Sequence, residues 1–283
     1  MKSIDHYVSM VHDQEAAREA YLKLGFNVRP TARHIELGSS NAVVIFPNTY
    51  LELLYCDTAK PMLKDLYYSR FDAGPGLAHV SLTADSLAEE RARIIAMGYT
   101  PGLEGNARRK VILPDGTEGE TDSSFLYNWH EDERFLSLFY SEHRIPEMIF
   151  IEGHTHHPNG ARDTAGITCV SRDPSALVEY YRDSWGGAPA WSDARGFGMR
   201  GFRGDFMDVL TADAVRARFA GVDLDRMLDL DPVGGFPVAL HFGVTDLAAT
   251  GAYLSQAGVT VHPGDKALIV NPGEAENTLI VFQ

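Results

Sequence analysis

One pattern recurs four times along the 283-residue chain, and this repetition restricts the folds available to it. Each copy opens with an apolar, strand-like run, continues with a helix and closes with further strand-like segments. The opening runs lie at 3–11, 77–82, 166–170 and 238–242. When these runs are aligned, His6 and His79 are 73 positions apart, and Thr168 and His241 are also 73 apart. Repetition at a fixed spacing indicates a duplicated structural unit.

The first copy shows what each unit contains. Asp13 is a suitable N-cap for a helix over Gln14–Leu24, and Gly25 is a suitable stop. Strand-like runs follow at 33–37, 41–46 and 50–56, separated by short polar and proline-containing turns. The order of elements is therefore βαβββ.

Four strands form a curved sheet that cannot close on itself, whereas two copies give an eight-stranded, barrel-like cavity for one small ligand. The sequence therefore predicts an α+β protein of four βαβββ modules that pair into two barrel-like halves. We expect an N-terminal domain over 1–150 and a C-terminal domain over 160–283. The polar stretch 152–160 would join them.

Charge and composition exclude several classes of partner. The formal net charge of −14 argues against nucleic acid, which requires a basic face, and against an anionic membrane surface. No apolar run approaches membrane-spanning length and the N-terminus lacks a signal-peptide core, so we expect a cytoplasmic protein. Cys56 and Cys169 lie in apolar runs, which is typical of free buried thiols. A small-molecule substrate is the expected partner, and a homodimer is compatible with the sequence.

Glu52 lies in the middle of the apolar strand Thr49–Cys56. A carboxylate in such surroundings is costly unless a basic side chain, a proton or a metal ion compensates its charge. The sequence alone leaves these three compensations open.

Strand periodicity places His6, Glu52 and His79 on inward-facing positions of paired modules. Any one of these residues alone would be read as a hydrogen-bonded or ion-paired core group. Together, two imidazoles and one carboxylate favour a divalent metal ion such as Fe(II), Mn(II), Ni(II) or Zn(II). We therefore predict a metal site on His6, Glu52 and His79.

The βαβββ repeat with these residues resembles the vicinal oxygen chelate superfamily, which includes glyoxalase I, extradiol ring-cleaving dioxygenases, methylmalonyl-CoA epimerase and bleomycin-resistance proteins. The resemblance covers nearly the whole chain and is closest to the glyoxalase-like domain proteins. It is carried by Ile4-Asp5-His6, by Asn41 ahead of Thr49–Leu53, and by His157–Ala161. It implies a divalent metal and a small substrate that binds through two vicinal oxygens.

The chain departs from the superfamily pattern at the usual fourth ligand, a glutamate on the last strand of the second module. Aligning 135–140 with 50–55 places Ser137 there, so one candidate general base is missing. The remaining two-histidine, one-carboxylate set resembles that of extradiol dioxygenases, which usually carry their metal in the C-terminal half. In this chain the corresponding C-terminal positions are a poor ligand set, so we expect that half to be metal-free; they are Thr168, Asp208, His241 and Ile280.

His143 lies on the same strand face as Ser137 if the strand extends that far. It is the candidate for a catalytic acid or base, or for a replacement ligand. A surface histidine at the end of a strand is the competing interpretation.

Two further motifs have ordinary explanations. Gly196–Gly201 matches the dinucleotide fingerprint GxGxxG but does not open a helix, so we predict a glycine-rich hairpin or lid. The histidines at 154, 156 and 157 offer metal ligands, but a polar linker loop explains them better.

A metal with adjacent open positions polarises two neighbouring substrate oxygens and stabilises an enolate-type charge. The resemblance therefore implies lyase or isomerase chemistry, whereas the ligand set implies extradiol-type ring cleavage with Fe(II). The competing class is a non-enzymatic protein that binds a small molecule or an antibiotic in an aromatic cavity.

Overall fold

Two sheets of eight strands organise the computed structural model, which describes residues 1–56, 74–129, 136–228 and 234–283. The first sheet and a small hairpin, β7–β8, lie between the N-terminus and His143. In chain order their strands are β1 Ile4–Met10, β2 Ala32–Arg33, β3 Ser40–Ile45, β4 Tyr50–Tyr55, β5 Gly76–Thr83, β6 Glu104–Asn106, β7 Lys110–Ile112, β8 Glu118–Glu120, β9 Ser123–Tyr127 and β10 Ser137–His143.

The second sheet begins at Ala161 and ends at Phe282. Its strands are β11 Ala161–Val170, β12 Trp191–Asp193, β13 Gly196–Arg200, β14 Phe206–Leu210, β15 Phe236–Val244, β16 Val261–Gly264, β17 Ala267–Val270 and β18 Leu279–Phe282. The helices are α1 Gln14–Lys23, α2 Leu87–Ala96, α3 Val178–Trp185, α4 Ala212–Arg218, α5 Asp225–Leu228 and α6 Leu247–Gln256. None of them is long and apolar enough to cross a membrane.

The two sheets have the same topology. Their strand orders are β2-β3-β4-β1-β5-β10-β9-β6 and β12-β13-β14-β11-β15-β18-β17-β16. In each sheet the opening strands of two modules are antiparallel neighbours, and each is parallel to the last strand of its own module. This arrangement confirms the predicted α+β fold of four βαβββ modules in two barrel-like halves.

Helix starts were predicted where the sequence offers an N-cap residue. Asp13 caps α1 through its side chain, as predicted. The helix α6 begins at Leu247. The strand predicted near 135–141 is observed as β10; residue 135 lies outside the described residues. Gly196–Arg200 forms a hairpin with β14 rather than a nucleotide-binding turn.

The register between the two sheets differs from the predicted alignment. Val8 on β1 lies opposite Glu52 on β4, and Thr168 on β11 lies opposite Asp208 on β14. In addition, a β-bulge follows both Val8 and Thr168. Thr168 is therefore the counterpart of Val8, and its predicted alignment with His6 is wrong by two residues.

The same shift applies to the fourth module. Val8 lies opposite His79 on β5, whereas Thr168 lies opposite Ala239 on β15. Ala239, not His241, is therefore the counterpart of His79. Gly166 and Ala239 are also 73 positions apart, so the spacing of the repeat fits both alignments and does not distinguish them.

Alternation along β1 divides its side chains between two environments. Tyr7 faces a core shared by both halves, in which Phe26 and Phe242 meet with ring centroids 4.7 Å apart. Val8, two positions from His6, faces the concave side of the first sheet, where it packs with Phe125 and Phe139. The functional side chains of the first half therefore project away from the interface between the halves.

The segment that joins the halves is more ordered than the predicted polar linker loop. His154 and His157 are buried, whereas His156 is exposed. His157 accepts a hydrogen bond at Nδ1 from the Asn27 backbone (3.0 Å), and its Nε2 donates to the Ile45 carbonyl (3.0 Å). Two of the three histidines thus fix the segment against the first half. Cys56 and Cys169 are buried and do not form a disulfide, as predicted.

Candidate metal centre

A small cavity lies inside the concave face of the first sheet. Its volume is about 50 Å³, enough for an ion with a water molecule or two but not for an organic substrate. Its aromatic walls are Tyr50, Phe125, Tyr127 and Phe139. Its polar and charged lining residues include His6, His34, Asn41, Glu52, Arg109 and His143.

Asp5 links two of the cavity histidines. Its Oδ1 lies 2.7 Å from His6 Nδ1 and 2.9 Å from His143 Nε2. These three residues also form the one group within the described ranges whose metal-ligating atoms all lie within 4.8 Å of one another. Although burial opposes it, the contacts with His143 and His6 hold the pKa of the Asp5 carboxyl well below its usual range. An ionised Asp5 accepts an N–H from each imidazole.

The Asp5 contact determines which nitrogen of His6 is available to a ligand. A neutral His6 that donates Nδ1–H to Asp5 carries its lone pair on Nε2, which lies 3.9 Å from Glu52 Oε2. Histidines that bind metals usually donate their other N–H to a carboxylate or carbonyl in this way. Two atoms bound tetrahedrally to one ion at about 2.1 Å lie ~3.4 Å apart, so His6 and Glu52 would share an ion after approaching each other by about 0.5 Å. The ring of His6 is further fixed by stacking on Tyr50, with centroids 4.2 Å apart.

Glu52 is 7% exposed and has no lysine or arginine partner within the described residues. Asn41 donates to its Oε1 at 2.6 Å, and His34 Nε2 lies 3.7 Å from the same oxygen. Arg109 lies in the same cavity and interacts favourably with Glu52, but the two do not form a direct ion pair. Of the three compensations open from the sequence, a directly paired arginine is therefore the one that the described residues do not supply.

The counterpart of Glu52 in the second half has a different environment. Asp208 pairs with Arg200 at 2.9 Å and with Arg218 at 3.0 Å. Two guanidinium groups thus occupy the place where a cation would meet this carboxylate.

His79 is fully buried and lies opposite Val8, on the row of the sheet that also contains Glu52. One strand separates His79 from Glu52, so their backbones are about 10 Å apart. The His79 ring contacts Tyr127, whose ring lines the cavity, but His79 itself lies behind the wall. The structure therefore brings His6 and Glu52 together and places His79 on the same face, without bringing all three to ligand spacing.

His143 lines the cavity, and both of its ring nitrogens are engaged. Because Nε2–H donates to Asp5, Nδ1 accepts the hydroxyl hydrogen of Ser123 at 2.9 Å. The side chain is buried, so the competing interpretation as a surface histidine is wrong. In this arrangement His143 shares the Asp5 oxygen with His6 and helps to fix the orientation of both imidazoles.

Sequence reasoning missed two residues of this site, His34 and Arg109. Burial lowers the pKa of His34, and its Nδ1 contacts Ser39 at 2.9 Å. Arg109 precedes β7 and forms an isolated bridge with His34. The two residues are 75 positions apart, and no repeat or alternation pattern connects them, so the sequence carried no signal for this pair.

The sequence model of the glyoxalase-like domain family matches residues 4–185 of this chain. The chain belongs to this family. The predicted resemblance to the vicinal oxygen chelate superfamily is thereby confirmed. None of the curated proteins matches the sequence significantly.

Solved structures share the fold of this glyoxalase-like protein over almost all of its length. A hypothetical protein from Staphylococcus aureus is 8% identical with a TM-score of 0.69, and the match covers 100% of this chain and 99% of that one. A mutant of 4-hydroxymandelate synthase from Streptomyces coelicolor is 12% identical with a TM-score of 0.64, covering 99% and 92%. A xylose isomerase-like TIM barrel/4-hydroxyphenylpyruvate dioxygenase fusion protein is 14% identical with a TM-score of 0.58, covering 99% and 48%. At these identities the likeness extends to the fold alone.

Proposed function

We propose that this protein is a divalent-metal-dependent enzyme of glyoxalase type that acts on a small substrate bound through two vicinal oxygens. The observation that carries the proposal is the pair formed by His6 Nε2 and Glu52 Oε2, which lie 3.9 Å apart in a buried cavity. Asp5 accepts the Nδ1–H of His6 and so leaves Nε2 free to bind an ion, and no lysine or arginine among the described residues forms a direct ion pair with Glu52. Fe(II), Mn(II), Ni(II) and Zn(II) all accept imidazole and carboxylate ligands.

In this proposal His79 is the third ligand, because it shares the face and the row of Glu52. The bound ion would act as a Lewis acid that stabilises negative charge on the substrate oxygens. Asp5 keeps His6 oriented, and His143 donates a hydrogen bond to the same oxygen of Asp5.

Lyase or isomerase chemistry follows from the family, and extradiol-type oxygenation with Fe(II) is the second candidate. The second candidate is supported by the two-histidine, one-carboxylate set, which is also that of non-haem Fe(II) oxygenases. It is also consistent with the dioxygenase named among the structures of the same fold. The first candidate requires proton exchange next to a carbonyl group, and the second requires oxygen.

A single design tests both candidates. Tag-free protein is loaded anaerobically with each of the four ions, and its metal content is measured by elemental analysis. Loaded protein is then given α-hydroxyketones and α-keto acids in D₂O, or catechols in an oxygen electrode. We expect one ion per chain and deuterium exchange without oxygen uptake. Oxygen uptake with catechols would support the dioxygenase, and the absence of metal binding would leave a non-enzymatic binding protein.

Asp5→Asn should weaken metal binding, because the amide does not accept N–H donors from His6 and His143 as the carboxylate does. Loss of such an orienting partner typically costs about 10- to 100-fold in metal affinity. Competition with a chromophoric chelator measures the effect. Asp163→Asn is the matched control because Asp163 is half-exposed and far along the chain from the cavity. An unchanged affinity in Asp5→Asn would contradict the assigned tautomer of His6.

The third ligand is tested by a pair of histidine variants. We expect His79→Ala to lower metal affinity at least about 10-fold, whereas His34→Ala should retain it, since His34 is fixed by Ser39 and Asn41. Competition with the same chelator measures the metal affinity of both variants. The reverse order of effects would assign the third ligand to His34 instead.

A further inference from the structure

A larger groove adjoins the metal cavity. Its volume is about 480 Å³, within the usual range for small-molecule sites, and it shares His34 and Arg109 with the cavity. Apolar side chains make up much of its walls, among them Ile35, Val43, Ile45, Ile112, Met148 and Ile151. Because the inner cavity is too small for an organic substrate, the body of a substrate must lie in this groove.

Arg109 stands where the groove meets the cavity and is 8% exposed. Its backbone N–H bonds to Thr121, but no side chain or carbonyl in the described parts of the chain makes a hydrogen bond or ion pair with its guanidinium. An arginine remains charged even when it is buried. A buried charge without an ion-pair partner is destabilising. A bound anion would supply the partner that the described residues do not.

Arg29 lies in the same groove and is also without an ion-pair partner among the described residues. Burial lowers the pKa of Arg109, Tyr50 and Glu52 in the adjoining cavity oppose this, and the positive charge of Arg29 adds to it. Lys110, by contrast, pairs with Glu118 at the rim. Two neighbouring guanidinium groups therefore face an apolar groove without a direct ion pair among the described residues, in a chain whose net charge is −14.

We propose that the groove binds an oxyanion carried on an apolar body, and that Arg109 and Arg29 hold this oxyanion. The planar guanidinium pairs well with both carboxylate and phosphate oxygens. With the anion held at the junction, the opposite end of the ligand can extend to His6 and Glu52. The inference rests on the proposed function for what happens at that end, but binding of the anion does not require a metal.

The test uses isothermal titration of metal-free full-length protein with three probes. These are 4-phenylbutyrate, phenyl phosphate and the uncharged 4-phenylbutyramide. We expect at least one of the two anions to bind and the amide to bind about 10-fold more weakly or not at all. The preferred anion identifies the substrate as a carboxylic acid or as a phosphate ester. Equal binding of the amide would overturn the proposal.

Arg109→Gln should weaken anion binding at least about 10-fold, and Arg29→Gln should weaken it less, since Arg29 is more exposed. Arg108→Gln is the matched control. Arg108 is adjacent in sequence, pairs with Glu36 and does not line the groove, so anion binding should be unchanged. Normal anion binding by Arg109→Gln would overturn the assignment.

Thermal unfolding separates this role from a structural one. If Arg109 is retained for a ligand, Arg109→Gln should leave the Tm of the metal-free protein unchanged or raise it, because a buried unneutralised charge is removed. A lowered Tm with unchanged anion binding would mean that Arg109 is structural. Because every measurement uses metal-free protein, failure of metal binding leaves this result unaffected, and failure here leaves the His6–Glu52 assignment intact.

Discussion

Glu52→Gln is expected to abolish metal binding while leaving the protein folded. Glutamine has nearly the same shape and can still accept the N–H of Asn41, but it lacks the charge that draws a cation to His6. We expect a loss of at least about 100-fold in affinity, since removing a ligand exceeds the effect of removing an orienting partner. The free energy of unfolding of the metal-free variant should stay the same or rise, because a buried carboxylate without a fixed cation is itself costly.

The matched control is the corresponding residue of the second half. Asp208→Asn should leave the metal stoichiometry unchanged, because Asp208 already pairs with two arginines. It should instead lower the free energy of unfolding by about 2 kcal/mol, since Arg200 and Arg218 lose their counter-ion. This magnitude is reduced from that of a fully buried pair because both arginines are about one-third exposed.

The two variants together separate binding from stability. Metal content by elemental analysis and unfolding in urea give the two readouts for each protein. If Glu52→Gln kept one ion per chain, the site would have to be assigned elsewhere, with Asp5, His6 and His143 as the first alternative. If Asp208→Asn lost the ion, the metal would belong to the second half.

The fold was predictable because its signals are local and repeated. Helix caps such as Asp13, glycine stops and apolar alternation each restrict a few residues, and four copies of the pattern restrict one another. Pairing of modules then follows from the need to close a small sheet.

The register was not predictable from the same signals. The bulges after Val8 and Thr168 lie at the same place in both halves, so they do not displace one half relative to the other. Gly166 and Ala239 are 73 positions apart, as are Thr168 and His241, so the spacing fits either alignment. Strand pairing selects the first of these pairs, and the residue pattern does not record strand pairing.

The candidate site was predictable only in part, for a related reason. His6 and Glu52 belong to strands that the repeat defines, so their proximity follows from the fold. His34 falls in the run predicted as a strand over 33–37, but β2 ends at Arg33, and His34 instead forms an isolated bridge with Arg109 just before β7. Their contribution depends on how the segments that carry them fold over the cavity, which no periodicity encodes.

His241 should make the stability of the protein fall as the pH falls from about 6.5 to 4. Burial and the nearby charge of Arg218 lower the pKa of His241 to about 4. Its contacts explain the preference for the neutral ring. Arg218 donates to Thr168 Oγ1 (2.9 Å), the Thr168 hydroxyl donates to His241 Nε2 (2.9 Å), and His241 Nδ1 donates to Gln283 (3.3 Å). Protonation of Nε2 would direct a hydrogen at a hydroxyl whose own hydrogen already points to that nitrogen.

The direction of the effect follows from proton binding. Between pH 6.5 and 4 the unfolded chain binds a proton at this histidine and the folded protein does not, so acid favours unfolding. Full stability is present above the unfolded pKa and is lost as the pH falls to the folded pKa. A shift from 6.5 to about 4 corresponds to about 3 kcal/mol. His157, with a pKa lowered to about 4, adds to the same slope.

Urea unfolding of metal-free protein at pH 7.5, 6, 5 and 4 measures this slope. His241→Gln should flatten it, since the amide can replace both hydrogen bonds but cannot titrate, whereas the exposed His156→Gln should not change it. The two variants should have similar stability at pH 7.5 and should diverge as the pH falls to 4, where His241→Gln should be the more stable. A His241→Gln slope equal to that of the parent protein would mean that His241 is not the group that titrates, and the loss would then be assigned to His157.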